Sequence, residues 1–171
     1  GKRLYDNGNY NKALPVLLQA AQLGSPDAQN YVGVMYANGQ GVQKNDIEAV
    51  KWYKSAAEQG NIGAQINLGY MYLGGNGVQQ SPEEAAKWFS PAANQGNAEA
   101  QNNLANMYSI GWGVTLNMSV AYQLYYKSAM QGYVNAQNNL GMMYQNGNGV
   151  QQNLSEAVKW YRKAADQGNA N

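Results

Sequence analysis

The sequence predicts an all-α fold in which helix-turn-helix repeats with a 36-residue step stack into a solenoid. The step comes from a loop motif that recurs as YANGQGV, YLGGNGV, YSIGWGV and YQNGNGV, beginning at Tyr36, Tyr72, Tyr108 and Tyr144. The helices come from apolar residues at i, i+4, i+7 and i+8, the period of one helical face, as in Ala28, Val32, Met35 and Tyr36. Repetition and helical period together give the fold class.

The step divides the chain into units, and residues 1–171 are expected to form a single solenoid domain. Its parts are a partial first unit at 1–24, repeats at 25–60, 61–96, 97–132 and 133–168, and the truncated start of a further unit at 169–171. The first unit is shorter, since Tyr5 and Ala13 are eight positions apart where Tyr36 and Ala49 are thirteen apart. We therefore expect a segment of a longer array, with a trimmed N-terminus.

The first helix of each repeat is expected near residues 27–38, 62–74, 98–110 and 134–146. Capping side chains stand at their starts, at Ser25, Asn61 and Asn97. Glycines follow their ends, where a left-handed residue closes a helix, at Gly39, Gly75, Gly111 and Gly147. Gly33 lies in mid-helix, where glycine lowers helix propensity. We expect it to leave room for Trp52 of the neighbouring helix.

The second helix of each repeat is expected near residues 46–59, 82–95, 118–131 and 154–167. Three of them open with a capping residue three positions before a glutamate, which is capping-box spacing, in NDIE at Asn45, SPEE at Ser81 and NLSE at Asn153. One position of this helix carries Trp52, Trp88, Leu124 and Trp160. Because Met35, Tyr36, Trp52 and their equivalents recur in every repeat, we assign them to the core.

Composition excludes several classes of function. The net charge is +1 with 12% charged residues, which gives no electrostatic footprint for nucleic acid. No apolar run approaches a transmembrane helix, so membrane insertion is not expected. The chain has no Cys and no His, so thiol chemistry, the commonest metal ligands and the commonest general base are absent. We expect no enzyme activity, no cofactor and no metal.

The pattern A-Q-x-x-L-G-x-M-Y-x-x-G-x-G-V, then A-x-x-W-Y-x-x-A-A-x-Q-G-x, resembles the Sel-1-like repeat, a relative of the tetratricopeptide repeat with a longer inter-helix loop. The resemblance runs from Tyr5 onward and implies a right-handed α-α superhelix that acts as a scaffold or adaptor for a protein or peptide partner. Some members of the family have been described as β-lactamases. The Ser-x-x-Lys pair of that chemistry is absent, since Ser155 and Lys159 are four apart, so a hydrolase is the least favoured function.

Resemblance to tetratricopeptide repeats also implies a concave binding face lined by the first helix of each repeat. Its candidate residues lie off the core stripe and are expected to be exposed: Asn30, Val34, Asn38, Ile66, Tyr70, Leu73, Asn102, Asn106, Asn138, Met142 and Gln145. Asparagine can donate to and accept from a peptide backbone at once. The same face would suit a glycan or peptidoglycan in a cell-envelope or secreted protein, and a periplasmic or secreted location is favoured over a cytoplasmic one. A plain solvated surface is the alternative for each single Asn.

The third repeat departs most from the pattern. Trp112 replaces a polar loop residue, Tyr126 replaces a Lys, Ser or Arg, and Tyr133 replaces a capping Asn. Aromatic residues dominate interface hot spots, so these three are candidate partner contacts. The alternative is local repacking, in which Trp112 covers a gap left where Leu124 replaces tryptophan.

Overall fold

The computed structural model describes residues 1–168, and this part of the chain contains ten α-helices and no β-strand. The helices are α1 (Lys2–Asp6), α2 (Tyr10–Gln22), α3 (Pro26–Asn38), α4 (Asp46–Glu58), α5 (Ile62–Gly74), α6 (Pro82–Asn94), α7 (Ala98–Ile110), α8 (Met118–Met130), α9 (Val134–Asn146) and α10 (Leu154–Ala165). The all-α prediction is confirmed, and the bounds of all eight expected helices agree to within two residues. Residues 169–171, expected to begin a further unit, lie outside the described residues.

The chain consists of two compact units, Gly1–Pro91 and Ala92–Asn171, and the division lies within α6. In the first unit α1 packs on α2, α2 on α3, α3 on α4 and α4 on α5. Its core has two clusters, one centred on Val32 and Met35 and the other on Tyr53 and Leu68. In the second unit α7, α8, α9 and α10 follow the same order around a core that includes Leu140.

The predicted helix ends are confirmed. The side chains of Ser25, Asn61 and Asn97 accept hydrogen bonds from the amides three residues later, at 3.4, 2.8 and 2.9 Å. Each first helix ends at a glycine with φ between 68° and 72°, the left-handed conformation expected there.

The predicted capping box at Asn45 forms only one of its two hydrogen bonds. Asn45 accepts a hydrogen bond from the Glu48 amide at 3.1 Å, as expected. Glu48, however, is paired with Lys51 at 2.5 Å, and the Asn45 amide donates to the Tyr36 carbonyl at 2.9 Å. The capping residue thus ties its loop back to the first helix, a role that the capping-box interpretation missed.

The mid-helix glycines make room for a different aromatic residue from the one expected. A β-carbon built on Gly33 would lie 2.6 Å from the Tyr53 ring, and one built on Gly69 would lie 2.6 Å from the Phe89 ring. Tyr53 and Phe89 follow Trp52 and Trp88 in the sequence, and both are buried, whereas the two tryptophans are half-buried. The assignment of the close approach to the Trp52 position is therefore wrong by one residue.

The second glycine of three loop motifs, at Gly41, Gly77 and Gly149, allows the loop to contact the backbone of the preceding repeat. Gly77 has a φ of 68°, and a β-carbon there would clash with the Asp46 carbonyl oxygen at the start of α4. A β-carbon on Gly149 would clash in the same way with the Met118 carbonyl oxygen at the start of α8. No other residue type fits this spacing without moving the backbone.

Buried glutamines join the repeats. Gln29 and Gln137 donate to the Ala21 and Ala129 carbonyls of the preceding helix, at 3.1 and 3.3 Å. The side-chain oxygen of Gln137 accepts a hydrogen bond from Gln167 at 2.8 Å. These contacts give the recurrent Ala-Gln pair a structural role, since a buried amide must be hydrogen-bonded.

Candidate functional site

A groove on the first helices of the second unit is the main candidate site. It encloses about 450 Å³ between α7 and α9, with one residue from α10. Its lining, which we call the asparagine groove, is Asn102, Asn106, Asn135, Asn138, Asn139, Met142 and Tyr161. Four of the sequence candidates lie close together in this lining: Asn102, Asn106, Asn138 and Met142.

Hydrogen bonds fix one side of the groove. Asn139 donates to the side-chain oxygens of Asn102 at 3.0 Å and of Asn106 at 3.3 Å. Tyr125 donates to the same oxygen of Asn106 at 2.6 Å. The Asn106 oxygen is thus held by two donors, which fixes the direction in which its amide group points.

The other side of the groove is lined by Asn135 and Asn138 of the last described repeat. At the equivalent positions of the repeat at 25–60, Asp27 and Asn30 accept hydrogen bonds from Asn61 and Asn67 of the following repeat. Each amide carries two donor hydrogens and an acceptor oxygen. These are the groups that a peptide bond, with one donor and one acceptor, requires of a binding surface.

The groove continues past Met142 into a second cavity of about 340 Å³. The two cavities share Asn139 and Met142, and the second is also lined by Ser109, Ile110 and Asn148. Met142 is half exposed between them, and a flexible thioether side chain can adapt to different apolar groups.

The groove is electrically neutral. Residues 100–155 contain a single charged side chain, Lys127, which does not line either cavity. Burial raises the pKa of the Tyr125 hydroxyl, and it raises the pKa of Tyr161 as well. Both hydroxyls are therefore protonated at neutral pH and serve as donors, Tyr125 to Asn106 and Tyr161 to Gln145 at 2.8 Å.

The corresponding positions of the first unit are arranged differently. Asn67 donates to the side-chain oxygen of Asn30 at 3.0 Å. Tyr70 is exposed and places its ring edge-on to Phe89 at 5.4 Å between ring centres. Val34 and Leu73 are half-buried and Asn38 is exposed.

The expectation that all these first-helix candidates are exposed is wrong at two positions. Ile66 and Asn102, which are one repeat step apart, are both buried. For Asn102 the cause is the seam between repeats, where Asn139 covers it and donates a hydrogen bond. Ile66 occupies the equivalent position of α5.

The aromatic residues of the third repeat have separate environments. Trp112 is 40% exposed, and Leu124 packs against the core of the second unit. Tyr126 packs against Tyr122 and Trp160, with ring centres 6.2 and 6.1 Å apart. Tyr133 begins α9 without a side-chain cap and packs against the same core.

Tyr122 and Tyr144 extend this aromatic cluster. Their rings meet edge-to-face at 5.8 Å and their hydroxyls share a hydrogen bond of 2.8 Å. Burial and this hydrogen bond raise the pKa of the Tyr144 hydroxyl. The cluster belongs to the packing of α8, α9 and α10 around Trp160.

Sequence reasoning missed Asn135, Asn139 and Tyr161 as groove residues. The available signal was the density of Asn in NAQNN at Asn135, which repeats the QNN at Gln101. The candidates were transferred from another repeat type at fixed positions, and that transfer ignored the neighbouring helix positions that share the face.

The described residues contain neither a group of three acidic, His or Cys side chains able to hold a metal ion, nor a helix long and apolar enough to cross a membrane. Both findings concern residues 1–168 alone.

Comparison with known proteins identifies the repeats. The Sel1 repeat family model matches residues 26–61, 62–97, 98–133 and 134–169. No curated protein matches the chain significantly. The matched repeats begin one residue after those read from the sequence.

Solved structures with the same repeats are similar. One is the c5321 protein, a protective antigen of uropathogenic Escherichia coli strains that displays an SLR fold. Its sequence is 41% identical to this chain, and the two structures superpose with a TM-score of 0.90. The match covers 94% of this chain and 34% of the c5321 chain. This chain thus spans about a third of that protein. A Sel1 repeat protein from Oxalobacter formigenes is 37% identical with a TM-score of 0.92, over 99% of this chain and 70% of its own. Cysteine rich protein B of Helicobacter pylori, 24% identical with a TM-score of 0.58 over 74% of this chain and 90% of its own, shares the fold.

Proposed function

The chain belongs to the Sel1 repeat family, and on that premise we propose that it is a non-enzymatic scaffold that binds an extended peptide segment of a partner protein in the asparagine groove. Proteins of this family are generally protein-interaction scaffolds. The observation that carries the proposal is the uncharged groove itself, in which Asn106 is held by two donors, Asn135 and Asn138 present amide groups, and Met142 is half exposed.

Peptide backbone is the ligand that these groups fit best. An extended peptide presents a donor and an acceptor at each residue, and an amide side chain pairs with both. The neutral lining provides no charge to recognise an acidic or basic group. Met142 and Tyr161 add apolar surface for one or two side chains of the peptide.

A pre-formed groove lowers the cost of binding. The hydrogen bonds from Asn139 and Tyr125 fix Asn106 before a ligand arrives. Less side-chain freedom is then lost on association, and that loss is about 0.5–1.5 kcal/mol per flexible side chain.

The test begins with peptides selected on the wild-type protein from a random 12-residue phage-displayed library, then synthesised and titrated by calorimetry. The groove variant combines Asn135→Ala, Asn138→Ala and Met142→Ala. Its control carries one change of each kind on exposed residues outside the groove, Asn11→Ala and Met130→Ala. The groove variant should bind at least tenfold more weakly, about 1.4 kcal/mol, and the control should bind like the wild type.

Backbone recognition has its own readout. N-methylation of single peptide bonds removes the backbone donor while it leaves the side chains unchanged, and it should weaken binding wherever the groove contacts that bond. Affinity that is equal in wild type and groove variant, or binding of peptidoglycan fragments where no peptide is selected, would refute the proposal and favour the glycan alternative.

A further inference from the structure

The loop between α7 and α8 exposes three large apolar side chains at positions that carry polar residues or glycine in the other repeats. Ile110, Trp112 and Leu116 are 67%, 40% and 56% exposed. Ile110 replaces Asn38, Gly74 or Asn146; Trp112 replaces Gln40, Asn76 or Asn148; and Leu116 replaces Lys44, Gln80 or Gln152. We call these three residues the apolar loop surface.

Leu116 also removes a stabilising interaction. At the same position Gln80 donates to the Leu73 carbonyl at 2.7 Å and Gln152 donates to the Gln145 carbonyl at 2.8 Å. A leucine side chain has no donor, so the equivalent carbonyl of Ser109 receives no such bond. The third repeat has exchanged a hydrogen bond at a helix end for exposed apolar area, which packing within the chain does not explain.

The three residues lie on one loop, within seven positions of each other. Leu116 lies beside Gly111, where an added β-carbon would stand 3.2 Å from the Leu116 β-carbon, and Gly111 separates Ile110 from Trp112. Ile110 also lines the second cavity, which shares Asn139 and Met142 with the asparagine groove. A chain that leaves the groove past Met142 therefore meets Ile110 next.

From this continuity we infer that the apolar loop surface is a specificity subsite for the same partner segment, and that it receives an uncharged stretch carrying aliphatic or aromatic side chains. The inference rests on the proposed function for its occupant. The loop supplies side-chain recognition where the groove supplies backbone recognition.

Charge and size fix the chemistry of the occupant. The surrounding sequence has one charged side chain between residues 100 and 155, so a charged segment would lose hydration without gaining a partner. This loop is too small to bind a second copy of the chain, because a stable protein–protein interface buries about 800 Å² on each partner. Three side chains of one loop provide far less, but they are enough to hold one or two residues of a peptide.

The chain itself provides the matched variant. Ile110→Asn, Trp112→Asn and Leu116→Gln together give the third repeat the residues of the fourth, Asn146, Asn148 and Gln152. Because the replaced side chains are exposed and Leu116→Gln restores a donor to the Ser109 carbonyl, the melting temperature should be unchanged or higher. The single change Trp112→Gln, which takes the residue of Gln40, serves as a second variant.

The experiment titrates the peptides selected from the 12-residue library into wild type, loop variant and groove variant, at 50 and 500 mM NaCl. We expect the peptides to be poor in charged residues and to carry aliphatic or aromatic residues towards one end. The loop variant should lose at least tenfold in affinity, Trp112→Gln at least fivefold, and neither loss should depend on salt. Removal of the apolar end of a peptide should make wild type and loop variant equal.

The outcomes separate this inference from the proposed function. If the groove variant loses binding and the loop variant does not, the subsite is refuted and the groove proposal stands. If neither variant loses binding, both are refuted. A lower melting temperature of the loop variant would assign the three residues a structural role. Sedimentation of the wild type, but not of the loop variant, with phosphatidylcholine vesicles would assign the loop to a lipid surface instead.

Discussion

Replacement of Phe89 by alanine tests which aromatic residue of α6 packs against Gly69, the point on which the structure differs from the sequence prediction. Phe89 is fully buried, lies against Gly69 and meets the Tyr70 ring edge-on at 5.4 Å. Deletion of a buried phenylalanine side chain costs about 3–5 kcal/mol through lost transfer free energy and a residual cavity. Because Gly69 has no side chain with which to fill the space, we expect Phe89→Ala to cost roughly 4 kcal/mol.

The neighbouring tryptophan is the matched comparison. Trp88 is half-buried at the edge of the core cluster that contains Tyr53 and Leu68. Hydrophobic stabilisation scales with the area removed from water, so Trp88→Ala should cost roughly half as much, about 2 kcal/mol. Lys87→Ala is the surface control, and its free energy of unfolding should stay close to that of the wild type because its ion pair with Glu84 is exposed to solvent.

Urea denaturation followed by far-ultraviolet circular dichroism measures all three variants. The slope of the transition should be compared first, because a repeat array can lose two-state behaviour. Phe89→Ala could instead lower the free energy of unfolding by less than about 1 kcal/mol, or Trp88→Ala could lower it by more than Phe89→Ala does. Either result would favour the tryptophan as the residue packed against Gly69 and would refute this orientation of α6.

Three further perturbations test the packing within each unit. Gly69→Ala should destabilise by roughly 0.5–2 kcal/mol in the same urea assay, because overpacking against Phe89 outweighs the gain in helix propensity; a stabilised variant would contradict the 2.6 Å approach. Stability should fall as the pH rises above 10, because burial raises the pKa of Tyr53 from its ordinary 10.0. The unfolded chain therefore loses this proton at a lower pH than the folded chain does. Melting temperatures measured at about pH 9 and pH 11 should differ less for Tyr53→Phe than for the wild type. Gln137→Leu should cost about 1–2 kcal/mol of stability through the lost hydrogen bond to Ala129. An unchanged denaturation midpoint would show that Gln137 does not stabilise the contact between repeats.

The helices were predictable because their end signals are local. An Asn or Ser cap and a left-handed glycine act within a few residues, so the sequence alone determines where α3 and α5 begin and end. The side chain that a helix buries deepest is not local information. Trp52 and Tyr53 are adjacent and both aromatic, and a period of 3.6 residues does not choose between neighbours 100° apart on the helix. The choice depends on the facing helix, α3, in which Gly33 leaves room for the Tyr53 ring.

The proposed binding face shows the same limit. Asn102 and Asn106 lie on one face of α7, and the sequence assigned both to an exposed surface. Only the position of α9 shows that Asn139 covers Asn102, which is buried, while Asn106 stays exposed. Sequence repetition identified the face, and packing between repeats determined which of its residues are accessible.

Repetition separates structural from functional residues when each departure is judged by what it removes. Asn, Gln and Gly at the repeated positions have structural causes in caps, in the joints between repeats and in close backbone contacts, so their abundance alone does not indicate a ligand. Leu116 differs, because the same position in two other repeats makes a hydrogen bond that leucine cannot make. A substitution that lowers local stability and also exposes apolar surface gains nothing for the isolated chain. A contact with the proposed partner would account for such a residue, and for this reason we propose that the partner is to be sought at the third repeat.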